Sequence, residues 1–296
     1  MADPRLQVHL VDGTYELFRH HFALPSHLDA GGQEVAAVRG VMASMAALLR
    51  EGASHVAVAT DHVIESFRNA LFPPYKSSAG MAPALLAQFS LLEEALAAMG
   101  LVVWPMVELE ADDALASGAA LAAAAPDVER VIICSPDKDL AQCVSSDRVV
   151  TLDRRRRSFT DEAGVRARYG VGPESIPDWL ALVGDSADGY PGLPRWGPAS
   201  ATAVLRRWRH VEEIPSLPER WAVDVRGASG LAASLRDRRR EVLLYKDLAT
   251  LRADEKLFGS VEELRWRGPQ PQLAPMCERL DLPDFEALVL GLWSGR

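Results

Sequence analysis

Glu110-Ala111-Asp112-Asp113 is the stretch from which the fold of this 296-residue chain can be worked out. Its three carboxylates follow an apolar run at 101–107 and precede an alanine-rich run at 114–125. We predict that the first run is a buried strand and the second a helix, which the acids begin. Helix capping explains one or two acids at such a position. Three crowded carboxylates repel one another unless a cation lies among them, so the stretch also predicts a metal site.

The composition is that of a protein with an ample core, since 48% of the residues are hydrophobic and 25% are charged. No apolar run of the sequence is long enough to span a bilayer. Residues 1–5 lack the basic-then-apolar layout of a signal peptide. The three cysteines form no CxxC pair and are expected to be small buried side chains. We therefore expect a cytoplasmic protein with no membrane partner.

The formal net charge of −9, taken alone, argues against nucleic-acid binding. The charge is unevenly distributed, however, because residues 77–129 contain no Lys or Arg. Arginine runs follow later, at 154–157, at 206, 207 and 209, and at 236 and 238–240. A charge run is usually a solvated face. If the acids cluster at a metal site, the net charge says little about nucleic-acid binding.

Short apolar runs alternate with helical patterns in the first half of the chain. The runs 6–11, 55–60 and 131–134 predict strands. A helical period at 35–50 and at 85–99 predicts helices between them. This alternation favours a parallel sheet covered by helices.

Acidic residues stand where the predicted strands end, which is where such sheets form their sites. One acid at a strand end is commonly a helix cap, but capping does not predict the repeated pattern seen here. We expect seven carboxylates to converge on one edge of the sheet: Asp12, Asp61, Glu110, Asp112, Asp113, Asp137 and Asp139. A ligand set made only of oxygen atoms suits Mg²⁺ or Mn²⁺ rather than zinc.

The second half of the chain contains helical patterns and glycine-rich turns. A helix is predicted at 160–169 with Thr160 as its cap, and another helical stretch covers 231–248. Two more acids lie beside glycines in Gly184-Asp185-Ser186-Ala187-Asp188-Gly189. The turn-rich hairpin 191–198 opens a predicted helix at 199–208, and the start of such a helix attracts phosphate. As a lone signal the hairpin is weak.

Together these stretches resemble the 5′ nuclease superfamily, which includes the 5′→3′ exonuclease domain of bacterial DNA polymerase I, phage 5′ nucleases and flap endonucleases. The matching motifs occur in the family order through nearly the whole chain. They are Val11-Asp12-Gly13, Asp61 with Ser66-Phe67-Arg68, Tyr75-Lys76, Glu110-Ala111-Asp112-Asp113, Asp137-Lys138-Asp139-Leu140, and Gly184-Asp185 with Asp188. The resemblance implies a PIN-like α/β catalytic domain at 1–165. It also implies a helix–three-turn–helix DNA-binding domain with a C-terminal helical extension at 166–296.

The resemblance also implies which residues act. Nine carboxylates would hold two Mg²⁺ or Mn²⁺ ions: Asp12, Asp61, Glu110, Asp112, Asp113, Asp137, Asp139, Asp185 and Asp188. The implied catalytic residues are Asp12, Asp137 and Lys76, of which Lys76 would stabilise charge at the scissile phosphate. Tyr75 would stack on a terminal base, with a core aromatic as the alternative for Tyr75 and a solvent-exposed lysine for Lys76. DNA contacts are implied for Tyr75, Lys76, Arg68, Gly192, Arg195, Gly197, Ser200, Arg206 and Arg207.

The sequence departs from the family pattern at three points. The resemblance implies a helical arch over the single strand at 73–99. No arginine follows Tyr75-Lys76 before Arg130, so this arch is weakly charged. Arg195 stands where the family hairpin has its first glycine. This change affects how closely the backbone can approach a phosphate, and it affects the K⁺ site that the resemblance implies at the hairpin. Ser200 lies near the position of a family lysine, and Gly189 replaces an asparagine.

We predict a metal-dependent 5′→3′ exodeoxyribonuclease of DNA repair or replication that acts by two-metal phosphodiester hydrolysis. Its partner would be DNA with a duplex end or a 5′ flap, and flap endonuclease cleavage would be a further activity. It is expected to be monomeric and separate from any polymerase domain. One rival is a DNA-structure-binding protein of the same fold with little turnover, which the altered hairpin and the uncharged arch favour and the full ligand set opposes. The other is a PIN-type ribonuclease, which Asp185, Asp188 and the hairpin oppose.

Overall fold

The computed structural model describes residues 6–253 and 255–295. Residues 1–5, where no signal peptide is predicted, lie outside that range. The chain forms two compact units. The first runs to Ile64 and also contains Ser78–Ser135 and the chain from Arg252 onward, whereas the second contains Glu65–Ser77 and Pro136–Leu251. No helix among the described residues is long and apolar enough to cross a membrane.

The strands are β1 (Leu6–Asp12), β2 (His55–Asp61), β3 (Val102–Met106), β4 (Val128–Cys134), β5 (Val149–Asp153) and β6 (Ser158–Thr160). The first helices are α1 (Gly13–Ala23), α2 (Ala36–Arg50), α3 (Phe67–Leu71), α4 (Pro83–Leu86), α5 (Gln88–Ala98), α6 (Ala111–Ala124) and α7 (Glu162–Tyr169). The later ones are α8 (Ile176–Val183), α9 (Pro198–Trp208), α10 (Ala228–Asp237), α11 (Arg239–Ala249), α12 (Leu273–Arg279) and α13 (Phe285–Ser294). Short 3-10 helices lie at Asp139–Cys143, Pro173–Ser175, Val211–Glu213, Pro218–Arg220 and Val261–Leu264.

The first unit is built on a parallel sheet with strand order β3-β2-β1-β4. The central strand β1 has Leu10 opposite Ala57 of β2 on one side and Ile133 of β4 on the other. All residues of β2 are buried, as expected for a strand covered by helices. The predicted parallel sheet is therefore confirmed, because each apolar run of the sequence forms one of its strands.

Helices pack against this sheet where the sequence has a helical period. The predicted helices at 35–50 and 85–99 are observed as α2 and α5. The alanine-rich helix α6 packs on the sheet with small side chains, and a Cβ added to Gly118 would lie 2.8 Å from the Trp104 ring. Helix α6 begins at Ala111, so Asp112 and Asp113 lie in its first turn, as predicted.

The Asp-Gly pair that ends β1 is explained by close packing at the start of α1. A Cβ on Gly13 would lie 2.8 Å from the carbonyl oxygen of Ala59 on β2. Only glycine fits between the two backbones there. The chain therefore turns directly from β1 into α1 and leaves Asp12 at the carboxyl end of the sheet.

The second unit is mainly helical and has its own core. Helix α8 packs against α9 and α11, and Trp221, Val204 and Val242 are completely buried among them. Asp178, which is also fully buried, links α8 to α11 and to the chain that follows α9. Its Oδ1 accepts from the backbone N of Val211 at 2.8 Å and lies 2.9 Å from Lys246 Nζ, and its Oδ2 lies 2.9 Å from His210 Nδ1.

The structure corrects two predictions in this unit and adds a pair of strands. Asp161, not Thr160, caps α7, because its Oδ1 accepts from Gly164 N at 2.8 Å while Thr160 ends strand β6. The stretch 231–248 is two helices, since Arg238, with φ −115° and ψ 30°, ends α10 before α11 begins. The antiparallel pair β5–β6 was not predicted. The predicted domain division at 165/166 falls inside this unit, and as a functional division it stays a prediction.

Candidate functional site

Asp12 and Asp61 end the neighbouring strands β1 and β2 of the first unit. The Asp12 carboxylate accepts from Tyr15 N and from Ser135 Oγ, both at 2.8 Å. It therefore caps α1 and also binds the residue that follows β4. Both strand-end acids are buried, so this edge of the sheet places two carboxyl groups where little water reaches them.

Asp61 joins the end of β2 to the start of α6. Its Oδ1 accepts from Ala111 N at 2.7 Å, and its own backbone N donates to Thr14 Oγ1 at 2.8 Å. The first contact places the Asp61 carboxylate directly at the positive end of the α6 dipole. Glu110, which is also buried, precedes that helix.

Asp113 has a structural part in the acidic stretch. Its Oδ2 accepts from Glu110 N and its Oδ1 from Arg252 N, both at 2.9 Å. Both oxygens of this buried side chain therefore bind backbone N–H groups. Capping accounts for Asp113, whereas Asp112 in the same turn is only half-buried. The metal-ligand role predicted for Asp113 is not needed to explain its position and stays a prediction.

Three acids of the second unit, Asp139, Asp185 and Asp188, lie together. One carboxylate oxygen of each lies within 4.8 Å of the others, and all three side chains are buried. Oδ1 of Asp139 has no hydrogen-bond partner among the described residues. Burial first, and then the neighbouring Asp137, Asp188 and Asp185, raises the pKa of Asp139 well above its usual range.

Local structure explains how these acids come together. Asp137 Oδ1 accepts from Asp139 N at 2.9 Å, which turns the chain into the 3-10 helix Asp139–Cys143. Asp185 and Tyr190 exchange backbone hydrogen bonds of 2.8 and 3.0 Å and close a tight loop that carries Asp188. Gly184 and Gly192 have φ of +90° and +69°, and a Cβ on Gly192 would lie 2.4 Å from Gly184 N. The glycines beside these acids in the sequence therefore allow the loop to close.

Two lysines of the chain contact the same acids. Lys138 Nζ contacts Asp185 Oδ2, and Lys76 Nζ lies 3.6 Å from Asp188 Oδ1. Burial opposes the charge on Lys138, but the hydrogen bond to Asp185 and the nearby acids raise its pKa above the usual value. No role was predicted for Lys138 from the sequence. A lysine placed between two acids in Asp137-Lys138-Asp139 was the available signal.

The three acids of the second unit fit a divalent cation. Their donors are carboxylate oxygens, which hard ions such as Mg²⁺ and Mn²⁺ prefer. Three carboxylates face two ammonium groups, and the buried Oδ1 of Asp139 is unsatisfied among the described residues. A buried carboxylate oxygen without a partner is costly, and a cation or its water would satisfy it.

Tyr75 is in the core of the second unit, with 4% of its surface exposed. This burial is what the core alternative expects, and the base-stacking role predicted for Tyr75 stays a prediction. Lys76 follows it at the surface of the acidic loop, and its backbone N donates to Asp188 O at 3.1 Å.

Arg68 is buried too, with 1% of its surface exposed. Its Nε donates to Leu248 O at 2.8 Å and its Nη2 to Thr250 O at 3.3 Å. The DNA contact predicted for Arg68 stays a prediction, since these contacts describe the protein without DNA. This arginine holds the end of α11 against α3, a contact between residues far apart in the sequence.

The hairpin before α9 presents exposed groups. Arg195 is exposed at φ +74°. A Cβ added to Gly197, which precedes α9, would meet no atom within 4 Å. Ser200 Oγ bonds both the N and the O of Gly197 at 3.0 Å and so completes the helix cap. Arg206 and Arg207 are exposed at the other end of the helix, where Arg206 Nε donates to Gly170 O at 2.7 Å.

Two family models match the chain. Residues 7–170 match the 5'-3' exonuclease N-terminal resolvase-like domain. Residues 171–272 match the 5'-3' exonuclease C-terminal SAM fold. The α/β portion followed by a helical portion, which was predicted from the sequence, is confirmed by these matches.

Curated proteins of similar sequence include DNA polymerase I and a 5'-3' exonuclease. DNA polymerase I of Pseudomonas aeruginosa is 34% identical over 271 residues, which are 88% of this chain and 29% of that protein. The chain thus spans less than a third of the DNA polymerase I relatives that it matches. The 5'-3' exonuclease of Buchnera aphidicola subsp. Schizaphis graminum is 27% identical over 265 residues, 86% of this chain and 89% of that protein.

A solved structure shares the fold. The bacteriophage T5 flap endonuclease, in a pseudo-enzyme–product complex with DNA and metal ions, matches with a TM-score of 0.65 and 17% sequence identity. The match covers 97% of this chain and 99% of that one.

Proposed function

This chain belongs to the 5'-3' exonuclease family, whose members are nucleases, and we propose that it removes nucleotides from the 5′ ends of DNA with the help of divalent cations. The observation that carries this proposal is the buried group Asp139, Asp185 and Asp188 with its unsatisfied Oδ1. A purely structural acid cluster would have its oxygens bound by the protein, as the Asp113 carboxylate has.

We propose Mg²⁺ or Mn²⁺ as the cofactor and two ions as the number. In the second unit the proposed ligands are Asp137, Asp139, Asp185 and Asp188. In the first unit they are Asp12, Asp61, Glu110 and Asp112. Asp113 accepts a hydrogen bond from the backbone N of Glu110 and so stabilises the first turn of α6, which contains Asp112. Bound divalent cations would lower the pKa of an attacking water and offset charge that develops on the phosphate.

The chain's own residues supply the rest. Lys76, whose ammonium group lies beside Asp188, is proposed to stabilise negative charge on the scissile phosphate. Asp61 would keep its position through the hydrogen bond from Ala111 N. Lys138 is proposed to orient the Asp185 carboxylate, since the two side chains are in direct contact.

The DNA partner is supported by the exposed groups around α9. Arg195, Arg206 and Arg207 are proposed to contact phosphates of a duplex, and the N-terminus of α9 at Gly197 to receive another. A flap-cleaving activity comes from the likeness to the T5 enzyme and is part of the proposal. A K⁺ ion at the 191–198 hairpin is proposed as well, and replacing K⁺ by tetramethylammonium in the binding buffer tests it.

One panel of substrates tests the function. A 5′-labelled flap, a duplex with a 5′ overhang and an RNA strand are each incubated with Mg²⁺, with Mn²⁺ or with chelator. We expect release of short 5′ products from the two DNA substrates in either metal and none in chelator. Tight DNA binding without products in any metal would favour a binding protein with little turnover, and preferential RNA cleavage would favour a ribonuclease.

A further inference from the structure

The turn between β5 and β6 is the feature that the proposed function does not use. The two strands pair with Asp153 opposite Ser158, so the four residues between them form the turn. Those residues are Arg154-Arg155-Arg156-Arg157. Four guanidinium groups are thus carried by one short hairpin of the second unit.

The charge of this turn is only partly offset. Arg156 N donates to Asp153 Oδ1 at 3.0 Å, and its Nη1 lies 3.5 Å from Asp153 Oδ2. Arg155 and Arg157 are exposed and have no carboxylate partner in the part of the chain that the structure describes. The turn therefore holds excess positive charge in a chain whose formal net charge is −9. Adjacent like charges repel, and an anion would relieve that repulsion.

The turn is held in a defined shape. Strand pairing fixes its two ends, and the Asp153 carboxylate fixes its middle. Arg157 has φ +53°, a conformation that a residue with a side chain adopts at a cost. Beside the turn, Phe159 leaves 57% of its surface exposed on the short strand β6. A fixed basic turn beside an exposed aromatic ring is a common form of nucleic-acid surface.

The location of the hairpin favours a nucleic acid over other polyanions. Strand β5 packs against the 3-10 helix Asp139–Cys143, whose first residue belongs to the acidic group. A five-residue strand is roughly 16 Å long, so the turn lies within reach of a nucleic acid held at that group. Guanidinium groups also match phosphate geometry with paired hydrogen bonds.

We infer that the turn Arg154–Arg157 is an additional nucleic-acid contact, which binds backbone phosphates of the duplex away from the bond that is cut. This inference rests on the proposed function for the identity of the partner. The turn adds affinity that does not depend on sequence, and it leaves the chemistry at the carboxylates unchanged.

The test compares two charge-matched double variants of the whole chain. Arg155→Gln with Arg157→Gln removes the two exposed arginines of the turn. Arg265→Gln with Arg267→Gln removes two exposed arginines that contact Glu262 in the first unit. Binding to a duplex with a 5′ overhang is titrated between 50 and 200 mM salt, in Ca²⁺ to block cleavage.

We expect the turn variant to lower the magnitude of the salt slope by about 1.8, or about 0.9 for each lost phosphate contact. Its affinity deficit relative to the wild type should then be about tenfold larger at 50 mM salt than at 200 mM. The control variant should keep the wild-type slope. An unchanged slope in the turn variant, or an equal fall in the control, would overturn the inference.

Two further measurements distinguish a membrane partner from DNA and test the nuclease activity separately. Vesicles of phosphatidylcholine and phosphatidylserine should not bind the wild-type chain, and binding that the turn variant loses would identify a membrane partner and overturn the inference. Cleavage of the same duplex in Mg²⁺ or Mn²⁺ reports on the proposed function by itself. The salt slope in Ca²⁺ does not need turnover, so the two proposals fail in different experiments.

Discussion

The ammonium nitrogen of Lys76 lies 3.6 Å from Oδ1 of Asp188, in an acidic group that Lys138 also contacts through Asp185. The chain therefore brings two cations of its own to carboxylates that we propose as metal ligands. Without a divalent ion, these lysines offset part of the repulsion among the acids. The apparent affinity for metal should then depend on the lysines as well as on the carboxylates.

Replacing Lys138 tests this balance. Lys138→Met leaves Asp185 without its counter-ion, so the melting temperature in chelator should fall. The expected loss is on the order of 1–3 kcal/mol, since Lys138 is still about a third exposed. Mn²⁺ should then raise the melting temperature of the variant more than that of the wild type, because the metal replaces a missing charge.

Lys246→Met is the matched control for this prediction. Lys246 also contacts a buried acid, Asp178, but outside the acidic group. The control should lower the melting temperature while keeping the wild-type response to Mn²⁺. If Lys138→Met and the wild type responded equally to the metal, the proposed link between this lysine and the metal site would be wrong.

The raised pKa of Asp139 predicts a pH dependence of the metal-free protein. Burial and three neighbouring acids favour the neutral carboxyl in the folded state, whereas the unfolded chain has the ordinary pKa of about 3.9. The stability contribution is thus present below that value and is lost as pH rises through the raised pKa. In chelator, we expect the wild type to lose stability relative to Asp139→Asn between pH 4 and pH 8.

Thermal unfolding at several pH values checks this prediction. Asp237→Asn, which changes an exposed carboxylate paired with Arg236, is the control and should show no such trend. A stability difference between the wild type and Asp139→Asn that stayed constant over this pH range would contradict the raised pKa.

Asp112 and Asp113 are neighbours with different expected effects. Asp113→Ala removes the acceptor for the backbone N of Glu110 and of Arg252, so it should cost about 1–3 kcal/mol of stability with or without metal. Asp112→Ala should reduce the rise of the melting temperature in Mn²⁺ more than Asp113→Ala does. Melting curves of both variants with and without Mn²⁺ test these two roles. A rise in Mn²⁺ that Asp113→Ala loses and Asp112→Ala keeps would refute them.

Variants at Arg68 and at the pair Arg206 and Arg207 should have different effects, the first on stability and the second on DNA binding. Arg68→Met removes a donor from the carbonyl oxygen of Leu248, in a buried contact, and from that of Thr250, in a part-buried one, which should cost about 2–5 kcal/mol. It should leave the salt slope of duplex binding unchanged. Arg206→Ala with Arg207→Ala should flatten that slope, by about 0.9 for each phosphate contact. A flattened slope in the folded Arg68 variant would instead support the DNA contact predicted for Arg68 from the sequence.

The sequence predicted those parts of the fold that depend on local pattern. Apolar runs indicated the strands β1 to β4, and helical spacing indicated α2 and α5. Both signals are local, because an element that buries a face shows a regular spacing of apolar residues in its own sequence. Acids after strands were correctly placed at strand ends, as Asp12 and Asp61 show. The break at Arg238 was missed because helical periodicity continues across it.

Residues whose environment depends on distant partners could not be predicted from the sequence. Arg68 is buried by the end of α11, about 180 positions further along the chain. Tyr75 is buried by a helical core assembled mostly from residues after 140. Thr160 looked like a helix cap because its partner strand β5 was not recognised, and Asp161 beside it takes that part.

The rate at which a duplex with a labelled 5′ overhang loses its 5′-terminal nucleotides tests the central claim most directly. The wild type and Asp185→Ala are compared in Mn²⁺ and in chelator, and duplex binding in Ca²⁺ confirms that both proteins are folded and bind. We predict cleavage by the wild type only in Mn²⁺, with a rate in Asp185→Ala that is lower by roughly 100-fold or more while binding persists. Cleavage in chelator, or equal rates for the two proteins in Mn²⁺, would contradict the account.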